Sequence, residues 1–351
     1  MSNYKLSVII PTYNSRDFIV DAIDSIKNQS IGFDNVEVII VDDKSTDKYT
    51  VNLLNQYNND YSNIKVIFKD ENSGFPGEGR NIGIKNAESD YVIVMDHDDT
   101  YVKNAFEVMY NKISSENADL LIASYMNVYN DKIIKPKYVF NENINEVKIS
   151  SIDENPDFFK IGPSIWTKLY RKDFLFENNI KFIEEMLAED LELFIHSLLC
   201  VNKAIYLNNF FAYNYRIRNS ANDKSTIHIR NKKYLSAMID GYFKTWDDLK
   251  NFNKEYYFPN VFTQHVVYWI KSFIASDISD NEKIELLEKI SPILKKQLEY
   301  TPDFSERIYK DLAKPILNDD YIEALKVSKK IKKSRKIKES VKSILNKLHL
   351  R

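Results

Sequence analysis

The sequence predicts an α/β domain built on a mostly parallel, doubly wound sheet and followed by a helical region. Three observations predict it. Short apolar runs alternate with stretches of helical spacing through the first 125 residues. Each run is cut off by a polar cluster, as expected of buried parallel strands that end at a ligand-binding rim. Beyond about residue 230 the strand pattern fades and the chain reads as helix.

The elements follow in order. Residues 5–10 form an apolar run ended by Pro11 and Asn14, which reads as a buried strand. Phe18, Ala22, Ile23 and Ile26 then recur at helical spacing. A second strand, 36–41, stops at Asp42-Asp43, and Val51, Leu54 and Tyr57 mark the next helix. Residues 64–68 are a third strand and 80–87 a third helix. Residues 91–95 are a fourth strand, halted by Asp96; 101–113 is helical and 119–123 is another strand. Strand and helix alternating at this spacing call for a parallel sheet. Between about 124 and 214 the pattern is mixed, with a short strand at 137–140 and helices near 172–178 and 190–201. In the helical part, Trp269, Ile270, Phe273 and Ile274 suit one packed face. We divide the chain into domains at 1–228 and 229–351.

Composition bounds the function. The 351 residues are 44% hydrophobic and 28% charged, which is ordinary for a globular protein. A net charge of −2 makes no case for nucleic-acid binding. The charge is uneven: residues 326–351 carry eleven Lys/Arg and one Glu, a net +10, so the remainder sums to −12. The single cysteine, Cys200, excludes an intrachain disulfide and lies in an apolar run as a small buried hydrophobe would. No apolar stretch approaches the ~20 residues of a membrane span, and residues 6–10 are too short for a signal sequence. The expectation is a cytoplasmic protein.

The polar clusters carry the chemistry. Asp96-His97-Asp98-Asp99 directly follows a strand. Two carboxylates in Asp-x-Asp spacing suit a hard divalent cation, which in turn neutralises a diphosphate. The plainer alternative is that Asp98, Asp99 or Thr100 caps the next helix. Residues 72–81 concentrate three of the seven glycines at a helix start, where backbone amides could face an anion and Arg80 could add fixed charge. No Gly-Lys-Ser/Thr follows, and no Gly-x-Gly-x-x-Gly follows the first strand, which disfavours a phosphate loop and a dinucleotide-dependent oxidoreductase. Asp42-Asp43 and Thr46-Asp47 offer either a base-binding carboxylate or a turn with a helix cap. Glu189-Asp190 offers either a general base or acidic residues that favour a helix N-terminus.

Taken together, residues 7–14 (Ser-Val-Ile-Ile-Pro-Thr-Tyr-Asn), 41–47, Gly79-Arg80-Asn81, 95–99 and Ala188-Glu189-Asp190 resemble the family 2 inverting glycosyltransferases of the GT-A fold, over about residues 4–226. Within that family, residues 72–81 are most similar to enzymes that glycosylate poly(ribitol phosphate) wall teichoic acid. The resemblance implies roles. Pro11 and Asp43 would hold uracil, with Tyr13 nearby and Asp42 as the alternative to Asp43. Asn72 and Arg80 would contact the nucleotide. Asp96 and Asp98 would surround Mn²⁺ or Mg²⁺. Asp190 would be the catalytic base, with Glu189 next in line. Arg218 and Ser225 resemble the family's late diphosphate-binding segment, with Arg216 competing for the place of Arg218. Two departures stand out: Lys44 follows Asp43 where Gly or Cys is commoner, and His97 fills the middle of the metal motif.

The implied partners are a UDP-sugar, N-acetylglucosamine or another hexose, and the hydroxyl of an anionic cell-surface polymer or oligosaccharide. The competing function is a nucleotide-sugar-binding scaffold without turnover. In the tail, Ile337, Val341, Ile344 and Leu348 share one helical face among lysines. That face could pack on its own domain, mediate a homo-oligomer, or lie at the inner face of an anionic membrane.

Overall fold

The computed structural model describes residues 3–129, 132–186, 189–220, 223–224, 230–300 and 307–347, with backbone alone at 219–220, 223–224, 307–309 and 335–347. Two compact units divide the chain, residues 1–225 and 226–351.

In the first unit, β1 (Leu6–Thr12), β2 (Val36–Asp42), β3 (Ile64–Phe68) and β4 (Tyr91–Val94) lie parallel, with β1 between β2 and β4. Every residue of β2, and all of β1 except Pro11, is buried, which is why both read as nearly continuous apolar runs; their polar members Ser7 and Glu37 bond to each other. Even-numbered residues Val8, Ile10, Val38 and Ile40 join one core with α1 (Phe18–Lys27), α2 (Lys48–Asp60) and α4 (Ala105–Glu116). The odd-numbered side chains point the other way, onto α3 (Pro76–Asn86). A Cβ on Gly83 would lie 2.3 Å from Ile9, and one on Gly79 would lie 3.4 Å from Pro11. These glycines, one turn apart, let α3 sit directly on β1.

The sheet continues through β5 (Thr100–Tyr101), β6 (Leu120–Val128), β7 (Ile133–Ile134), β8 (Glu146–Ile149), β9 (Lys168–Arg171) and β10 (Ala204–Arg216). Its order is β3-β2-β1-β4-β9-β6-β10-β5, with β7 beside β6 and β8 beside β10. The long strands pair mostly parallel, as expected, but β9 runs antiparallel between β4 and β6, and the short β5, β7 and β8 also pair antiparallel. It enters from the carboxyl rim, so Lys168 stands there opposite Ile122. Helices α5 (Lys172–Glu177) and α6 (Asp190–Cys200) also belong to this unit, as does a short antiparallel pair of Asn219–Ser220 with Asp223–Lys224.

Several boundaries differ from the sequence reading. The helix expected from 80 begins at Pro76, whose fixed φ suits the first helical position. The helix expected from 101 begins at Ala105, because β5 comes first; Asn104 occupies the cap position, so none of Asp98, Asp99 and Thr100 is a cap. Residues 137–140 are irregular rather than a strand: only Ile133–Ile134 pair, and Pro136 cannot donate to a ladder. Cys200 is half-buried at the end of α6.

The second unit comprises α7 (Lys232–Asn251), α8 (Phe258–Ala275), α9 (Asp280–Tyr300), α10 (Arg307–Leu317) and α11 (Tyr321–Lys347). Trp269, Ile270, Phe273 and Ile274 of α8 are all buried, with Leu287, Ile290 and Leu294 of α9. The indole of Trp269 donates to the Leu235 carbonyl at 3.0 Å, satisfying its one polar atom. Ile337, Val341 and Ile344 fall where backbone alone is described, and Leu348 lies outside the described residues. Among the described residues no helix is long and apolar enough to cross a membrane.

Candidate active site

The carboxyl ends of β1, β2 and β4 gather three charge groups. The first surrounds Asp43, just past β2. Lys69 binds its carboxylate, the Ser73 amide and hydroxyl each donate at 3.0 Å, and the Gly74 amide donates at 3.1 Å. Burial opposes ionisation, but these donors outweigh it and hold Asp43 below the usual carboxylate range. Asn72 donates to the Asp43 carbonyl at 2.6 Å. Gly74 reaches the carboxylate with φ +70°, a conformation that favours glycine. Asp42 plays a different part: it is buried and accepts from the Ser45 amide at 2.8 Å, holding the turn. Lys44 adopts φ +59°, which explains why a glycine there would be at ease. Asp47 caps α2 by accepting from the Thr50 amide at 3.2 Å. Tyr13 is 44% exposed and follows Thr12, whose carbonyl accepts from the Asp43 amide at 2.9 Å, and Pro11 is half-buried against Gly79.

The second group centres on Arg80, whose side chain is 6% exposed. Its guanidinium donates to Glu189 at 2.5 Å, to Asp190 at 3.0 Å and to Asp96 at 3.0 Å. One arginine therefore holds three carboxylates, and its charge is locked on by burial among them. Desolvation pushes Glu189 up to about 7 against the pull of Arg80. Desolvation likewise raises Asp190, again opposed by Arg80, with the Ile165 amide favouring its charged form. Asp190 is the first residue of α6 and remains 27% exposed within these surroundings, so a solute can reach it. The Nη groups of Arg80 engage these three carboxylates within the protein.

The third group joins Arg218 to Asp98, with the guanidinium also 5.1 Å from the centre of the Phe18 ring. Arg216 pairs instead with Asp21 at 2.8 Å, which separates the two competing arginines: only Arg218 touches the Asp-x-Asp segment through its side chain. Ser225 lies outside the described residues. Asp99, considered only as a cap from sequence, is buried and accepts from Tyr213 at 2.9 Å and from the Arg216 amide at 2.6 Å. It ties the end of β10 to the Asp-x-Asp turn. Desolvation raises Asp99 well above the usual range, and the neighbouring charges of Asp98 and Asp96 add to the shift.

These facts bear on a metal. Asp96 and Asp98 are half-buried oxygen donors, and each engages an arginine through one oxygen. Arg80 is shared with Glu189 and Asp190, so it does not serve Asp96 alone. A hard divalent cation fits that donor set.

Sequence reasoning missed Lys168. It is fully buried, donates to the carbonyls of Gly162 at 2.8 Å and Ser164 at 2.7 Å, and lies 4.1 Å from the Phe194 ring centre. Desolvation brings it down to about 7. Its only signal was a lysine inside the apolar stretch Ile165-Trp166-Thr167-Lys168-Leu169-Tyr170. It pins residues 162–167, whose Ile165 amide supports Asp190.

The description Glycosyl transferase family 2 matches residues 7–174. The chain is 31% identical over 236 residues to a poly(ribitol-phosphate) beta-glucosyltransferase of Bacillus spizizenii, covering 67% of this chain and 36% of that protein. It is 30% identical over 235 residues to the poly(ribitol-phosphate) beta-N-acetylglucosaminyltransferase TarS of Staphylococcus aureus, covering 67% of this chain and 39% of that one. The chain thus spans well under half the length of these two relatives. The crystal structure of S. aureus TarS 1-349 in complex with UDP-GlcNAc superposes with a TM-score of 0.74 at 23% identity, covering 94% of this chain and 92% of that one, which establishes the fold. By sequence match, order of motifs and GT-A architecture, the chain belongs to glycosyl transferase family 2.

Proposed function

We propose that this protein transfers a sugar, N-acetylglucosamine or another hexose, from a UDP-sugar to a hydroxyl of an anionic cell-surface polymer such as teichoic acid, with inversion. One observation carries the reading: a single buried guanidinium draws Asp190, the matched base, and Asp96, of the matched metal pair, to one point on the rim. The names and activities of the relatives support the donor and acceptor classes.

In this reading Pro11, Tyr13 and Asp43 receive the uracil, and the donors already on Asp43 keep it ionised and still. Asn72 stands exposed beside it for the nucleoside. Arg218, and Ser225 by resemblance, face the diphosphate. Arg80 orients Asp96 and Asp190 rather than meeting the nucleotide itself. Mn²⁺ or Mg²⁺, held by Asp96 and Asp98, would supply positive charge to the leaving diphosphate. Asp190 takes the proton from the acceptor hydroxyl; the oxygen bonds to the anomeric carbon as the bond from that carbon to the UDP oxygen breaks. Its raised affinity for protons brings it nearer the working range of a general base. One displacement inverts the centre.

We also propose that residues 1–228 form the catalytic portion, that the helical remainder self-associates, and that its +10 tail lies at the inner face of the membrane. Light scattering on the full chain and on one ending near residue 318 tests the association; a monomer in both rejects it. A panel of UDP-sugars with Mn²⁺, read by thermal shift, tests the donor assignment, because a ligand of the folded state raises apparent stability. Stabilisation by at least one UDP-sugar is expected; none with any UDP-sugar, or equal effects from GDP- and ADP-sugars, contradicts it.

A further inference from the structure

Beyond the charged cluster lies a hollow of about 140 Å³ beside residues 123–125, midway along β6. At roughly 10–15 Å³ per water position that is about ten positions, room for one sugar or polyol unit. Its inner lining is buried and carries hydroxyls: Ser124, Thr167 and Tyr206. Tyr138 and Phe211 are partly exposed in its wall, with ring centres 5.9 Å apart and planes near perpendicular. Gly162 is exposed at its edge, and a Cβ there would meet nothing within 4 Å.

Aromatic faces suit the C–H faces of a carbohydrate. The lining hydroxyls already bond within the protein, Ser124 with Tyr206 and the Asn208 carbonyl and Thr167 with the Ser164 carbonyl, and make that side of the hollow polar. The adjoining charge is positive. Residues 132–140 hold Lys132, Lys135 and Lys137 with no acid, although the chain outside its basic tail sums to −12. Lys137 lines the hollow, and the Lys135 ammonium lies 4.5 Å from the Phe211 ring centre. The connection to the chemistry is short. Ile161, Gly162, Ser164 and Thr167 line the hollow, Lys168 holds the carbonyls of Gly162 and Ser164, and the Ile165 amide of the same segment favours the charged form of Asp190.

We infer that this hollow is the acceptor subsite, taking one sugar or polyol unit of an anionic polymer against Phe211 and Tyr138 while Lys135 and Lys137 meet the charges on either side. The inference rests on Asp190 being the base and adds where the acceptor lies and which chemistry selects it. It makes the lysines, not the C-terminal tail, the local readers of acceptor charge.

The test fills the hollow without touching the core. Gly162→Leu adds a side chain into open space at a backbone position outside the left-handed region, so the fold is kept. The full-length wild type, Gly162→Leu and Lys137→Glu are compared for UDP binding by calorimetry and for binding and sugar transfer to poly(ribitol phosphate). Gly162→Leu is expected to bind UDP as wild type does and to weaken polymer binding about tenfold, the scale of a lost stacking contact. Lys137→Glu is expected to weaken polymer binding and flatten its salt dependence. Wild-type polymer affinity in Gly162→Leu, or a wild type that binds UDP but not the polymer, overturns the assignment. A wild type that does not bind UDP overturns the underlying donor reading instead.

Discussion

Replacing Arg80 by Met keeps length and removes the one charge that three carboxylates share. Breaking a buried ion pair by deleting one partner costs about 3–5 kcal/mol, because the remaining charge is stranded. For a unit of this size each kcal/mol moves Tm by roughly 2–4 °C, so a fall of about 6–20 °C is expected at pH 8. The pH dependence follows from the direction of the shifts. Glu189 already binds protons more tightly folded, near 7, than its ordinary 4.5, so its burial costs stability as pH rises through that window and the cost is full above 7. Removing Arg80 raises Glu189 and Asp190 further, so the variant's native state binds more protons than the wild type's. The deficit of Arg80→Met must therefore be largest at pH 8 and shrink toward pH 5. Thermal denaturation followed by circular dichroism at both pH values reads this directly. A loss under about 2 °C at pH 8, or a deficit that grows on acidification, refutes Arg80 as the charge-compensating centre.

Other outcomes follow from the same geometry. Asp190→Ala should still bind the UDP-sugar but transfer at least about 100-fold more slowly, the usual scale of a lost general base, and wild-type rates would move the role to Glu189. Activity should vanish in excess chelator and in Asp98→Asn, with circular dichroism unchanged; full turnover in chelator would falsify the metal requirement. Asp43→Ala should erase preference for UDP over GDP and ADP in equilibrium binding, whereas an unaltered preference would shift attention to Asp42. Gly83→Ala should destabilise by roughly 1–3 kcal/mol through its clash with Ile9, while Gly162→Ala should stay within about 0.5 kcal/mol; equal effects would contradict the close packing of α3 on β1.

What was legible in the sequence was local. β1 and β2 announced themselves because both faces of each are covered, so apart from Ser7 and Glu37, which bond to each other across the two strands, their residues are apolar until the rim. The rim clusters were legible because polar residues stop such strands abruptly. Lys44, noted from sequence as a departure from glycine, proves to need a left-handed backbone. The glycines of α3 were misread in part: Gly79 and Gly83 repeat at one helical turn, a packing signal, yet their density near Asn72 pointed to an anion cradle. What depended on distant convergence was not legible. Arg80, Asp96 and Asp190 are separated by 16 and 94 residues in the chain, and nothing local says that one guanidinium spans them. The insertion of β9 is a non-local pairing, and it buries Lys168, which lies in a stretch the sequence left unassigned.

The central claim, a single displacement from a UDP-sugar with Asp190 as base, is tested most directly by proton NMR of the anomeric centre during transfer from an α-configured UDP-sugar to poly(ribitol phosphate). The account predicts a β-linked product from the earliest time points, with UDP released in equal amount and both signals absent in Asp190→Ala. An α-linked product, or undiminished transfer in that variant, would contradict it.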